Sequence, residues 1–316
     1  MLRFVIERVL LTFVLLFVIS VATFSLMSLV IGDPVYAILG PESSADQLTI
    51  ERLRQELQID RPLPVRYADW LGHAVTGDLG RSFRQPIQVR DAIIARVPVT
   101  LELTAFAIVL AVVVAIPFGT AAALRAGGRL DVVLSAVAAF DLSVPNFFLG
   151  ILLIYVFALR LGWLPSAGFV TMNSDVIGNL RLMLLPTLTL AAAYGGGFAR
   201  YVRSCMVEVL GEDYVRTARA KGLGRAVIVM RHALRNALIP LTTVIALEIA
   251  SLFGGAVVTE TVFSLPGIGT LLTESILGRD LPMVQGVVLF VTAAVVFTNL
   301  VVDLAYGLIN PRVRVS

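Results

Sequence analysis

The chain carries few side chains of the types that perform catalysis, and they follow no catalytic or metal-binding spacing. His73 and His232 are the only histidines, and Cys205 is the only cysteine. A loop that cradles phosphates needs Gly-x-x-x-x-Gly-Lys-Ser/Thr, yet the only lysine, Lys221, is followed by Gly222. The sequence therefore indicates a protein that is not an enzyme and that has no nucleotide site, metal site or cofactor of its own.

Three polar residues lie instead within long apolar stretches: Asp141, Asn146 and Glu248. An ionisable group inside a bilayer costs roughly 3 kcal/mol on insertion scales, so such side chains should face the helix bundle or a water-filled path. Hydrogen bonding between helices is the commoner explanation for residues of this kind. The other interpretation makes Asp141, Asn146 and Glu248 candidate translocation-path residues.

The composition requires a membrane to surround these residues. Hydrophobic residues make up 58% of the 316 positions and charged residues 15%, against about 25% charged in an ordinary soluble domain. The excess apolar surface must face lipid or other membrane helices. The net charge of +3 is too small to indicate a nucleic-acid-binding protein.

Six apolar runs approach the roughly 20 residues that cross a bilayer. They fall at Leu10–Ile31, Leu101–Leu124, Val132–Leu159, Leu182–Tyr201, Leu238–Val258 and Val284–Leu308. The first run follows Arg3 and Arg8 like a signal peptide, but it is too long for one and lacks a small-x-small cleavage site, which indicates a retained span. Pro145 predicts a bend or tilt in the third run.

The basic residues predict the orientation. They cluster in the segments before the first run, after the second, between the fourth and fifth, and after the sixth. The positive-inside rule places all four segments in the cytoplasm. We therefore expect six transmembrane helices with both termini in the cytoplasm (N-in, C-in).

The chain divides into three predicted parts. These are residues 1–31, with the first span; residues 32–97, an external region; and residues 98–316, a five-helix core that includes a cytoplasmic loop at 202–237. Within the external region we predict helices at Ala45–Leu57 and Leu63–Val75, followed by a turn at Gly77–Gly80. We expect this region to form a small helical cap that packs on the membrane domain, because it is too small to fold alone.

The cytoplasmic loop carries the most informative pattern. A short helix of mostly small residues follows Asp213, and Gly222 can adopt the left-handed conformation that ends a helix. A second helix leads into the fifth span. It carries apolar residues at Val227, Met230, Leu234 and Ala237, which predicts an amphipathic helix along the inner membrane face.

This loop resembles that of the permease subunits of ABC importers, whose Glu-Ala-Ala-x-x-x-Gly signature forms a coupling helix that docks on the ATPase. The signature falls on Arg216–Gly222, with Arg216 in place of the glutamate and Thr217 in place of the first alanine. The longer pattern Asp-Tyr-x-Arg-Thr-Ala-x-Ala-Lys-Gly-Leu, followed by Arg-His-x-Leu-Arg-Asn-Ala, is similar to the dipeptide/oligopeptide/nickel branch. By resemblance, the ATPase-coupling residues are Asp213, Tyr214, Arg216, Thr217, Ala218, Arg219, Lys221 and Gly222.

The resemblance to this branch covers essentially the whole chain. Further matching patches follow in order at Met1–Arg3, Gly32–Pro34, Gly77–Ser82, Ser143–Gly150, Leu161–Pro165, Gly254–Gly269 and Asn310–Arg312. It implies an all-α membrane protein with the type I ABC importer permease fold, located in a bacterial or archaeal cytoplasmic (inner) membrane.

The resemblance also implies the partners and the cargo. The partners are a second homologous permease chain, two cytoplasmic ABC ATPase chains that bind ATP and Mg, and an extracytoplasmic substrate-binding protein. Short peptides are the expected cargo, with nickel chelates, glutathione or another small solute as alternatives. The rival class is an ion-coupled secondary transporter, which predicts paired midplane charges and an inverted repeat. The sequence has scattered single acids and no obvious repeat.

Overall fold

The structure, a computed structural model, is built of helices. It describes residues 2–30, 47, 51, 54 and 61–309, without the side chains of 2–4, 26–30, 141–142, 239, 246, 249–250, 252–253 and 305–309. Within these ranges there is no strand, only an isolated antiparallel bridge between Arg81 and Gln88. The predicted all-α class is confirmed.

The helices follow one another along the chain. Where helix bounds are described, the first six are α1 (Leu2–Val30), α2 (Leu63–Val75), α3 (Val89–Leu124), α4 (Arg129–Ser143), α5 (Asn146–Leu153) and α6 (Val176–Gly211). The next five are α7 (Asp213–Ala220), α8 (Arg225–Val227), α9 (Leu234–Phe263), α10 (Ile268–Leu277) and α11 (Leu281–Ile309). Two π-helical turns, Ile154–Arg160 and Ile228–Ala233, continue α5 and join α8 to α9.

Four helices of the described chain are long and apolar enough to cross a membrane. They are α1, α3, α6 and α11, and the end of α9 together with α10 makes a fifth if this broken pair is one span. The predicted third run is divided at Pro145. Helix α4 ends at Ser143, and Pro145 is the N-cap of α5 in an extended conformation, with φ −60° and ψ 133°. The described chain thus contains several helices that could cross a membrane.

One compact unit consists of residues 1–99 and 266–316. In it α1 packs along α11, and Arg8 forms an ion pair with Asp303 at 3.0 Å. Helix α2 packs on α1, where the hydroxyls of Tyr67 and Ser20 lie 2.7 Å apart and the Tyr67 ring meets Phe24 edge-on. The helix predicted at Leu63–Val75 is confirmed; most of the one predicted at Ala45–Leu57 lies outside the described residues.

The segment between α2 and α3 in this unit is fixed by polar contacts with the turn before α11. The carboxylate of Asp280 accepts hydrogen bonds from the Ser82 hydroxyl and from the Phe83 N–H, the latter at 3.1 Å. The Arg84 Nε donates to the carbonyl of Gly278 at 2.6 Å. The predicted turn is confirmed, since Gly77 and Gly80 both have positive φ angles.

The other compact unit consists of residues 100–265. In it α6 packs against α4, α5 and α9. Helices α3 and α6 approach so closely at Gly119 that a Cβ atom there would lie 2.5 Å from the carbonyl oxygen of Ala199. Small residues at such crossings allow backbones to meet, as is typical of helices that pack within membranes.

Candidate coupling surface and translocation-path residues

Helix α7 has a charge pattern that suits its ends. Asp213 lies in the first turn and Arg219 in the last, where each charge interacts favourably with the helix dipole. Arg216 and Asp213 form an ion pair at 2.8 Å, but the two side chains are 73% and 90% exposed. Such exposed pairs contribute little to stability, which leaves both side chains available for other contacts.

Only a narrow face of α7 is buried. Val215 and Ala218 pack with Ile228 and Leu210 in a small apolar cluster. The other predicted coupling residues are exposed: Asp213, Tyr214, Arg216, Thr217, Arg219, Lys221 and Gly222. Ala218 therefore anchors the helix to the rest of the loop, and the exposed residues present a surface rich in cations.

The end of α7 is fixed by Gly222. Its φ of +78° lies in the left-handed region, as predicted. Its N–H donates to the carbonyl of Arg219 at 3.0 Å, and the Leu223 N–H donates to the carbonyl of Ala218 at 3.3 Å. This pair of bonds is the Schellman motif, which satisfies carbonyls that a helix end would otherwise leave open.

Two hydrogen bonds connect the segment that holds α7 and α8, which we call the coupling loop, to longer helices. The Asn236 side-chain amide, in the first turn of α9, donates to the Tyr214 hydroxyl at 2.8 Å. Arg225 donates to the carbonyl of Leu124, the last residue of α3, at 3.1 Å. Helix α7 is thus bonded to α9, and α8, which follows it, is bonded to α3.

The four apolar residues of the predicted amphipathic helix divide into two pairs. Val227 and Met230 are exposed, whereas Leu234 and Ala237 are buried. A helix on a membrane surface turns apolar side chains such as the exposed pair to lipid, so a position along the inner membrane face stays a prediction. A π-helical turn over Ile228–Ala233 lies within this segment.

An ion pair joins α4 to the part of α6 that precedes α7 in the chain. Arg203 Nε lies 2.5 Å from Asp131 Oδ1, and Arg203 NH2 donates to Oδ2 at 2.6 Å. The backbone N–H of Gly127 adds a hydrogen bond to Asp131 at 2.9 Å. The hydrogen bond from Arg203, followed by that from Gly127, holds the pKa of Asp131 well below its usual range.

Of the three candidate path residues, the structure describes the side chains of Glu248 and Asn146. Glu248 is half-buried, and its Oε2 accepts a hydrogen bond from Ser251 at 2.5 Å. The Tyr194 hydroxyl of α6 also bonds with Ser251. Asn146 is half-buried as the first residue of α5 and takes no part in this group. The side chain of Asp141 lies outside the description. A role for these residues in translocation stays a prediction.

Two buried polar pairs in the 100–265 unit were not predicted. Glu260 is fully buried, and the Thr100 hydroxyl donates to its Oε1 at 2.5 Å. The buried Asn179 amide donates to Glu102 at 2.6 Å. No local spacing links residues 100 and 260, so sequence patterns alone could not have paired them. Each of the two carboxyls accepts a hydrogen bond, as buried polar groups generally do, whereas the buried Asn179 Oδ1 has no partner among the described residues.

His73 contacts the backbone of its own helix. His73 Nδ1 lies 2.7 Å from the Asp69 carbonyl oxygen within α2. Over the described residues, no three His, Cys, Asp or Glu side chains are close enough together to hold a metal ion.

The sequence matches two parts of one known family over nearly its whole length. Residues 115–315 match the family described as binding-protein-dependent transport system inner membrane component. Residues 1–104 match the N-terminal part of the corresponding membrane component.

Several curated proteins are similar over their full length. A "probable peptide ABC transporter permease protein" of Sinorhizobium fredii is 39% identical and covers 98% of this chain and 99% of its own. A Brucella abortus protein whose name includes the words "peptide transport system permease protein" is 41% identical over 98% of both chains. The glutathione transport system permease protein of Escherichia coli O6:H1 is 41% identical over 99% of both. Among solved structures, an amino acid ABC transporter crystallised with histidines has a TM-score of 0.47 and 16% identity over 70% of this chain and 94% of its own, too weak a likeness to support an argument.

Proposed function

Because the chain belongs to the family of binding-protein-dependent transport system inner membrane components, we propose that it is half of the translocation pathway of an ATP-driven importer. The other half is a second, homologous permease chain. The observation that carries this proposal is the full-length similarity to ABC transporter permeases. In the proposed cycle the chain catalyses no reaction. It alternates between two conformations, whose relative stability depends on the ATPase subunits and the substrate-binding protein.

Helix α7 is the proposed contact with the ATPase subunits, which supply the ATP and Mg sites. Its exposed face, its fixed C-terminal end and its hydrogen bond through Tyr214 to Asn236 support this role. When the two ATPases close on ATP, α7 moves as a rigid element. Its hydrogen bond to α9, and that of the following α8 to α3, then pass the displacement into the membrane helices.

The membrane arrangement follows from the same proposal. The six spans comprise the four long helices, the broken run of α4 and α5, and α9. Both termini lie in the cytoplasm of a bacterial or archaeal cell, because the basic segments share that side. The ion pair between Arg8 and Asp303 supports a common side for the two ends of the chain.

Short peptides are the proposed cargo, because the similar permeases of Sinorhizobium fredii and Brucella abortus carry peptide in their names. Glutathione is the second candidate, favoured by the Escherichia coli relative of 41% identity. Glutathione is itself a tripeptide, so one pathway suits both. Selection between them belongs to the separate substrate-binding protein.

The binding protein is proposed to dock at the external region formed by α2 and the 76–88 segment. Arg81 is suited to test this, because its side chain is exposed whereas Arg84 is bound to Gly278. A photocrosslinker at Arg81 or at Arg84 should yield adducts with the binding protein. Absence of adducts at both positions would count against the docking site.

The cargo is tested with the assembled complex in proteoliposomes that contain ATP. ATP hydrolysis is measured with binding protein plus di-, tri- and oligopeptides, glutathione, or a nickel chelate. Stimulation by peptides of varied sequence supports peptide import. Stimulation by glutathione alone selects the second candidate, and stimulation by the nickel chelate alone contradicts both.

A further inference from the structure

A long apolar groove lies within the 100–265 unit, between α3, α4 and α6. Its walls include the exposed side chains of Phe118, Val137 and Phe140, and its floor includes Ala192 and Gly195 of α6. The volume is about 350 Å³. We call it the α3–α4–α6 groove. In a membrane, such an apolar surface is covered by acyl chains or by another helix.

One end of the groove is cationic. The groove continues into a smaller depression that shares Phe118 and Ala199 with it and reaches Ser135, Arg200 and Arg203. Arg203 forms an ion pair with Asp131. Arg200 is exposed, and over the described residues it has no hydrogen bond or ion pair. Among the described residues, no partner compensates the charge of this guanidinium, which lines the cationic end of the groove.

The dimensions match one leaflet of a bilayer. The stretch of α6 that borders the groove and its cationic end runs from Leu188 to Arg203, and this spans roughly 22 Å at 1.5 Å per residue. Half of a bilayer with its head groups is also about 20–22 Å thick. The positive-inside rule places the Arg200 end at the cytoplasmic surface. The groove thus runs from head-group level toward the bilayer midplane.

We propose that the α3–α4–α6 groove binds one anionic phospholipid, with an acyl chain along Phe118, Ala192 and Gly195 and the phosphate on Arg200. Guanidinium groups bind phosphate oxygens through paired hydrogen bonds, and basic pockets between helices at the cytoplasmic face suit anionic head groups. An apolar helix of the second permease would cover the groove without using the cation. The proposal needs only membrane insertion in the stated orientation, so it stands apart from the proposed cargo and from the coupling role of α7.

Native mass spectrometry of the purified complex tests the proposal by lipid exchange. Phosphatidylglycerol or phosphatidylcholine is titrated into delipidated complex, and the apparent affinity for the tightest bound lipid is measured. Arg200→Gln removes the cation. Arg181→Gln is its matched control, because Arg181 is also exposed on α6 but lies near the other end of that helix.

A second pair of variants tests the groove itself. Gly195→Leu inserts a side chain where a Cβ meets no atom within 4 Å, so the helix should tolerate it while the groove is filled. Gly197→Leu is its matched control, since Gly197 has equal space but does not line the groove. Both changes favour helix formation, and thermal unfolding verifies that each variant is folded.

We expect phosphatidylglycerol to bind the wild-type complex more tightly than phosphatidylcholine. Arg200→Gln should weaken phosphatidylglycerol binding roughly five-fold and bring it near that of phosphatidylcholine. Gly195→Leu should weaken both lipids, and the two controls should change neither. Equal affinity of the wild type for both lipids would overturn the proposal. So would crosslinking of Gly195→Cys in native membranes to the second permease rather than to a lipid probe.

Discussion

Replacement of Gly222 by proline perturbs the coupling surface at one defined point. The native φ of Gly222 is +78°, whereas proline fixes φ near −65°. Proline also lacks the N–H that donates to the Arg219 carbonyl. The end of α7 must therefore unwind, while the membrane helices, which lie outside this loop, should insert normally.

The size of the effect follows from the two hydrogen bonds of the Schellman motif. Each contributes about 1 kcal/mol net, so their loss destabilises the ordered end of α7 by about 2 kcal/mol, or roughly thirty-fold in population. Gly222→Ala keeps both bonds and incurs roughly 1–2 kcal/mol for the left-handed conformation. Gly224→Pro is the matched control, because Gly224 has φ −62° and its N–H donates no hydrogen bond in the described loop.

The assay is ATP hydrolysis by the reconstituted complex with and without loaded binding protein. Gly222→Pro should assemble but lose substrate-stimulated hydrolysis, Gly222→Ala should keep part of it, and Gly224→Pro should keep most of it. Full stimulation in Gly222→Pro would refute a rigid α7 as the coupling element. An equal loss in Gly224→Pro would refute the specific importance of the Gly222 cap.

Three further predictions concern the 100–265 unit. Asp131→Asn should lower the melting temperature by breaking the ion pair with Arg203. Because the pKa of Asp131 is lowered in the folded protein, the difference in melting temperature between variant and wild type should be constant from pH 8 to about pH 5. It should shrink only below about pH 4, where the carboxyl of the unfolded chain becomes protonated. Gly119→Ala should lower the free energy of unfolding by about 1–3 kcal/mol, since its Cβ would lie 2.5 Å from the Ala199 carbonyl oxygen. Gly197→Ala is the control and should be neutral or slightly stabilising in the same unfolding assay. Thr100→Val should cost about 1–3 kcal/mol, because the buried Glu260 loses a hydrogen-bond donor; an unchanged melting temperature would contradict the importance of that bond.

Much of the local structure could be predicted from the sequence because it is decided by short-range rules. The helix at Leu63–Val75 follows from its position between Pro62 and the glycine turn, and α3 ends at Leu124 as predicted. Pro145 breaks the third run: proline lacks the N–H that a helix interior needs, and it disfavours a helical conformation in the residue before it, Val144, which is extended. Gly222 adopts the left-handed conformation that the pattern of the coupling loop requires.

The tertiary polar contacts could not be predicted in this way. Asp131 pairs with Arg203 across 72 residues and Thr100 with Glu260 across 160, and no periodicity of a single helix encodes such a meeting. Helix α3 begins at Val89, twelve residues before the apolar run at Leu101, because hydropathy marks only the part of a helix that suits lipid. No residue pattern marks the π-helical turn at Ile228–Ala233 in advance.

Purification of the tagged chain from native membranes in mild detergent, with mass spectrometry of the proteins retained, tests the central claim most directly. We expect a second multi-span permease and at least one ATPase with a Walker motif, and ATP-dependent solute uptake after this complex is reconstituted in proteoliposomes. Recovery of this chain alone, folded and active in transport without ATP, would contradict the account and indicate a secondary transporter.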